Sequence, residues 1–130
     1  MVGLIVVAHA GLARELLAAA EMIVGPIERA EAIGIASGDS VEMIRDSVAG
    51  AIEKVSETGV IIMVDMFGGT PSNMSISFLK DDEIEVITGV NLPMVIKFAT
   101  ERDKLGVADL ASSIKKCGLD SISVAGDYLK

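Results

Sequence analysis

Gly3-Leu4-Ile5-Val6-Val7-Ala8-His9 sets the frame for the rest of the chain: a short apolar run, rich in β-branched residues, that stops on the only histidine among 130 residues. An uninterrupted apolar run of this kind forms a strand buried on both faces, the habit of a central strand in a parallel sheet. A histidine at its carboxyl end then sits outside the strand tips, where open α/β sheets place their ligands. The other reading is a histidine that merely closes the strand and hydrogen-bonds the next turn. The run alone does not choose between them.

Working outward, Ala10 to Val24 carries Leu12, Leu16, Leu17, Ala20, Ile23 and Val24 as a helical stripe, and Gly25-Pro26 stops it. Ala30 to Ala36 reads as a second, more polar strand, nearer a sheet edge. Ser37-Gly38-Asp39-Ser40 is a turn in which Asp39 and Ser40 are both N-cap candidates. The helix behind it spaces Val41, Ile44, Val48, Ile52 and Val55 by three and four residues and ends near Gly59. Val60 to Val64 is the strongest buried strand and stops on Asp65. Thr70-Pro71 marks the next helix start, with threonine as N-cap. A fourth strand spans Ile84 to Thr88, Pro93 opens a helix through about Arg102, and another helix runs from Val107 to Lys116, stopping at Gly118. Ser121 to Ala125 alternates polar and apolar residues, which predicts an antiparallel edge strand.

Strands alternating with helices through right-handed crossovers predict a three-layer α/β fold with a mostly parallel, doubly wound sheet, for which the common strand order 2-1-3-4 is taken. Residues 1–130 are expected to be a single domain. Apolar residues make up 51% and aromatics only 3%, so aliphatic and methionine side chains must build the core. Mean hydropathy is high at +0.54, yet no stretch approaches the roughly 18–20 uncharged residues needed to cross a bilayer. The first basic residue, Arg14, follows the apolar run rather than preceding it, which is not a signal-peptide pattern, and a cytoplasmic location is expected. A net charge of −8 opposes nucleic-acid binding. The single cysteine, Cys117, forbids an internal disulfide, and one Cys with one His supplies no zinc set, so neither metal nor cofactor is expected.

In the order 2-1-3-4, His9 and Asp65 end adjacent strands on the same side of the sheet. A carboxylate bonded to one imidazole nitrogen fixes the tautomer, leaves the other nitrogen's lone pair free and stabilises positive charge on the ring. The plainer role for Asp65 is to cap the Gly-rich turn that follows. In Gly68-Gly69-Thr70, glycines let backbone N–H groups approach an anion, the helix start points its positive end at the crevice, and the Thr70 hydroxyl is a donor. Together these residues make a nucleophilic histidine, an orienting acid and an anion cradle, a set suited to transient phosphorylation of His9. Met66, Phe67, Leu92 and Met94 either form an apolar rim for partner proteins or pack the loops onto the sheet.

Three blocks, Gly-Leu-Ile-Val-Val-Ala-His-Ala-Gly-Leu-Ala, Val-Asp-Met-Phe-Gly-Gly-Thr-Pro-Ser-Asn and Ile-Thr-Gly-Val-Asn-Leu-Pro-Met, occur in that order. They resemble the enzyme IIA domain of the mannose family of the bacterial phosphoenolpyruvate-dependent sugar phosphotransferase system, over nearly the whole chain. The resemblance implies a phosphotransferase in which His9 accepts a phosphoryl group from the histidine phosphocarrier protein and passes it to an enzyme IIB, itself the peripheral link to a membrane permease. It implies Asp65 as the hydrogen-bond partner of His9 and places Thr70, where many members have serine, beside the phosphoryl group. Ala8 and Ala10 stand where some members have threonine and glycine, and Phe67 where some have tryptophan. A homodimer is implied, in some members with the C-terminal strand exchanged, a role open to Ser121–Ala125.

A receiver-type signalling domain would share Asp65 and Thr88 as strand-end residues but needs acidic residues after the first strand and a lysine after the last, where this chain has His9 and Ala125-Gly126. A nucleotide-binding module would need a glycine fingerprint after the first strand. A histidine phosphatase would need a second histidine. The remaining alternative is a regulatory phosphocarrier of the same family whose phosphorylation state is sensed without sugar transport.

Overall fold

The two runs free of charged residues become the two central strands. In the computed structural model, which describes residues 1–129, β1 (Gly3–His9), β2 (Ala30–Ile35), β3 (Val60–Val64) and β4 (Ile84–Thr88) form a 4-stranded parallel sheet in the order β2-β1-β3-β4. Every residue of β3, and all of β1 except His9, is buried, whereas the edge strands β2 and β4 are largely half-buried. Five helices connect and follow these strands: α1 (Leu12–Val24), α2 (Val41–Val55), α3 (Thr70–Ile76), α4 (Leu92–Glu101) and α5 (Val107–Asp120).

Alternate residues of the central strands point to opposite faces. Leu4, Val6, Ala8, Ile61 and Met63 pack with Ala13, Ala20, Phe98, Leu110 and Ile114 beneath α1, α4 and α5. Ile5, Val7, Ile62 and Val64 pack with Ile44, Val48, Val55 and Met74 beneath α2 and α3. The expected stripe of α1 is only partly correct: Ala13 and Ala20 are the buried positions, Leu16 and Leu17 flank them, and Leu12, Ile23 and Val24 are exposed.

Helix ends obey hydrogen-bond supply. The Ser40 hydroxyl accepts from the Met43 amide at 3.1 Å and is the N-cap of α2, while Asp39 accepts from the Ala36 amide at 2.8 Å and closes the preceding turn. Asn91 caps α4 through the Met94 amide at 3.2 Å, so that helix begins at Leu92, one residue before Pro93. At α3 the cap is Gly69 and Thr70 is already helical, one residue earlier than predicted, with Pro71 still in the first turn.

Two C-terminal expectations are corrected. Helix α5 does not stop at Gly118 but runs through it, because the missing side chain makes room for Met94, whose sulfur would lie 2.7 Å from a Cβ at that position. Ser121–Ala125 is not a strand. The Ser121 and Ile122 amides turn back to the Cys117 and Leu119 carbonyls of α5, and Ala125–Leu129 forms a short 3-10 turn. Alternating residues make a strand only where a neighbouring ladder takes up the backbone groups, and among the described residues no strand pairs with this segment; Ile122 and Val124 are exposed.

Candidate functional site

Parallel pairing of β1 with β3 brings Val7 opposite Val64 and leaves His9 and Asp65 at the carboxyl tips of neighbouring strands. The Asp65 amide donates to the Val7 carbonyl at 3.2 Å, extending the ladder one step beyond β3. One carboxylate oxygen of Asp65, Oδ2, accepts both the backbone amide of His9 at 2.9 Å and the ring Nδ1 at 2.7 Å. The other, Oδ1, accepts the Met66 amide at 2.9 Å. Asp65 thus takes both roles considered for it, capping the glycine-rich turn and holding the histidine.

A carboxylate only accepts, so Nδ1 carries the proton and Nε2 keeps its lone pair. The Asp65 side chain is 11% exposed and that of His9 53%, so the acid is shielded while the ring reaches solvent. Partial burial pushes the Asp65 carboxyl up, but the hydrogen bonds from the His9 amide and ring, the positive charge the ring carries when protonated, and the Met66 amide together outweigh it and hold the group below its ordinary 3.8.

The turn after Asp65 also approaches the imidazole. Gly68 has a φ of +92°, a left-handed conformation that suits glycine, and a Cβ placed on Gly69 would lie 3.9 Å from His9 Cε1. Thr70 and Pro71 line a cleft of about 610 Å³ together with His9, Ala10, Ile35, Asp39, Val41 and Ile44. His9, Asp65, Gly69 and Thr70 therefore come together, His9 and Thr70 on the cleft itself and Asp65 and Gly69 against the ring, while Gly68 shapes the turn. No group of acidic, histidine or cysteine side chains suited to a metal ion occurs among the described residues.

The four apolar rim candidates divide. Phe67 and Met66 are exposed, whereas Leu92 is half-buried and Met94 is buried in the core beneath α4. Val41, which its spacing with Ile44 assigns to the packing stripe of α2, is instead exposed at the start of that helix, as is Met43, which no sequence pattern singles out. Ala10 has a left-handed φ of +53°, which no sequence pattern signals at an alanine.

A family described as the fructose IIA component of the phosphotransferase system (PTS) matches residues 3–115. The fructose-specific EIIA component of Bacillus subtilis is 27% identical over 100% of this chain and 90% of its own length. The sorbose-specific EIIA component of Lacticaseibacillus casei is 31% identical over 87% of this chain and 83% of its own length. Among solved structures, the phosphotransferase component EIIA of Streptococcus agalactiae superimposes with a TM-score of 0.89 at 25% identity, covering 98% of this chain and 99% of that one. The mannose/sorbose-specific IIA subunit of Enterococcus faecalis gives a TM-score of 0.85 at 25% identity, over 95% and 93% of the two chains.

Proposed function

Since the chain belongs to the family of phosphotransferase-system IIA components that includes fructose, mannose and sorbose members, we propose that it carries phosphoryl groups on His9 Nε2. In this reading the histidine phosphocarrier protein is the donor and an enzyme IIB the acceptor. The Nε2 lone pair attacks phosphorus in the donor's phosphohistidine. The new P–Nε2 bond forms as the donor's P–N bond breaks, and the bonding electrons leave with the donor imidazole. Nδ1 keeps its proton throughout, and the positive charge that develops on the ring faces the Asp65 carboxylate. Backbone N–H groups at Gly68 and Gly69 and the Thr70 hydroxyl take the phosphoryl oxygens. Transfer to an enzyme IIB is the same displacement in reverse.

The observation that carries this reading is the 2.7 Å contact between His9 Nδ1 and Asp65 Oδ2, which leaves Nε2 as the nucleophilic nitrogen on a half-exposed ring. The sugar-specific names of the B. subtilis and L. casei relatives favour service in sugar uptake over sensing alone. Incubation with phosphoenolpyruvate, enzyme I and the phosphocarrier protein should attach one phosphate, acid-labile and base-stable, that is absent in His9→Ala. A hydroxylamine-sensitive acyl phosphate on Asp65 would overturn the assignment.

Two further roles belong to the same reading. Met66 and Phe67 form an apolar rim on which the partner proteins dock. A second copy of the chain covers the open edge of β4, where a groove of about 560 Å³ runs between β4 and α5 beside Leu119 and Ile122. The exposed Ile122, Val124, Tyr128 and Leu129 supply apolar surface for that contact.

A further inference from the structure

Ala10 follows the candidate phosphoryl acceptor as the first residue of the turn leading into α1, and it does so in a left-handed conformation with a φ of +53°. Alanine has no side-chain group to compensate that conformation, unlike asparagine or aspartate. The turn is held there by neighbours on the edge strand. The Ala10 amide donates to the Ile35 carbonyl at 2.9 Å, continuing the β1–β2 ladder past the His9–Ile35 pair. The Ala10 carbonyl lies over Gly34, so closely that a Cβ on Gly34 would stand 2.5 Å from its oxygen. That obstacle is backbone, not the movable end of a side chain. Gly34 itself faces solvent, so no core packing accounts for the absence of a side chain there.

We infer that Gly34 is a positioning residue for His9, acting through the Ala10 carbonyl; this rests on the reading of His9 as the phosphoryl carrier. A methyl group at position 34 forces that carbonyl to move. The left-handed well of an alanine is narrow, so the Ala10 peptide cannot absorb the motion by local rotation and passes it to His9. There the amide and the ring Nδ1 share one oxygen of Asp65, at 2.9 and 2.7 Å, and a small displacement cannot preserve both bonds. Moving β2 outward instead would break the Ala10–Ile35 bond of the same turn. A glycine at position 10 uncouples the two ends, because it lets the carbonyl swing aside without dragging the residue before it.

The test compares Gly34→Ala, Ala10→Gly and the double variant, reading the His9 ring tautomer by nitrogen-15 NMR, the rate of phosphoryl transfer from the phosphorylated donor, and thermal unfolding. In Gly34→Ala the Nδ1–H tautomer gives way to a mixture, and transfer slows by roughly tenfold to a hundredfold, the scale of a misplacement of about 1 Å at a reacting group. Adding Ala10→Gly restores both. If Gly34→Ala keeps the wild-type tautomer, whatever its rate or stability, the inference is wrong. It is equally wrong if the double variant folds without recovering the tautomer. Should Gly34→Ala fail to fold, the double variant must fold with the Nδ1–H form, and its failure to do so also overturns the inference. A wild-type protein that takes no phosphate on His9 would remove the carrier function, while the tautomer measurements would still decide whether Gly34 positions the ring.

Discussion

Replacing Asp65 by asparagine keeps the size and shape of the side chain but leaves one acceptor oxygen where the carboxylate has two. Three N–H groups converge on that carboxylate: the His9 amide and ring Nδ1 on Oδ2, and the Met66 amide on Oδ1. If the asparagine oxygen faces His9, its NH₂ group meets the Met66 amide, donor against donor; if it faces Met66, both bonds to His9 are lost. In the first and less damaging orientation, the ring bond changes from charge-assisted to neutral, a loss of about 1–1.5 kcal/mol. The charge developing on the ring also loses its counter-ion, worth about 4 kcal/mol for charges roughly 4 Å apart near a protein surface. Because the ring is 53% exposed, water supplies part of that stabilisation, and a net loss of about 2–4 kcal/mol at the transition state is expected. At about 1.4 kcal/mol per factor of ten, transfer to His9 should slow by roughly thirtyfold to a thousandfold. Rapid-quench measurement of single-turnover transfer from the labelled donor gives this rate directly, with thermal unfolding as the check that Asp65→Asn is native. A native variant that transfers within about threefold of wild type would show Asp65 to be only a turn cap.

The lowered Asp65 carboxyl also predicts a pH dependence. A folded value below 3.8 gives stability that is fully present above the unfolded carboxylate value and disappears as pH falls through the folded one. The stability gap between wild type and Asp65→Asn, from denaturant unfolding, should therefore be level above about pH 5 and close in stronger acid; a gap that widens on acidification contradicts this. Phe67→Ser should raise KM for the phosphorylated donor by roughly tenfold or more with kcat nearly unchanged, as expected of an exposed aromatic anchor at an interface. A fall in kcat alone would place Phe67 in the chemistry instead. Sedimentation at micromolar concentration should show a dimer that becomes a monomer when the chain is cut before Ser121; a monomeric wild type refutes the proposed contact at β4.

The elements most legible in the sequence are those with the least polar interruption. β1, β3 and β4 fall where the sequence places them, and the sheet has the common doubly wound order 2-1-3-4 expected of alternating strands and helices. The ends of helices were harder to read, because a cap depends on which nearby group supplies the hydrogen bond. Asp39 and Ser40 were equal candidates until the Ser40 hydroxyl was found on the Met43 amide. Gly118 looked like a stop and is a packing site for Met94, which lies on another helix. Ser121–Ala125 carries the alternation of a strand without a neighbouring strand to pair with.

The candidate site divides in the same way. Hydrophobic periodicity is a local property, so the residues alone placed His9 and Asp65 at the tips of buried strands and the Gly68–Pro71 turn at the head of a helix. The choice of Nδ1 as the held nitrogen, the sharing of Asp65 between His9 and Met66, and the left-handed Ala10 carbonyl resting on Gly34 required the folded chain. Each is a contact between groups of fixed direction, and the central one joins residues 56 positions apart. Composition and spacing carry no information about such directions; the parallel pairing of β1 with β3 and β2 supplies it.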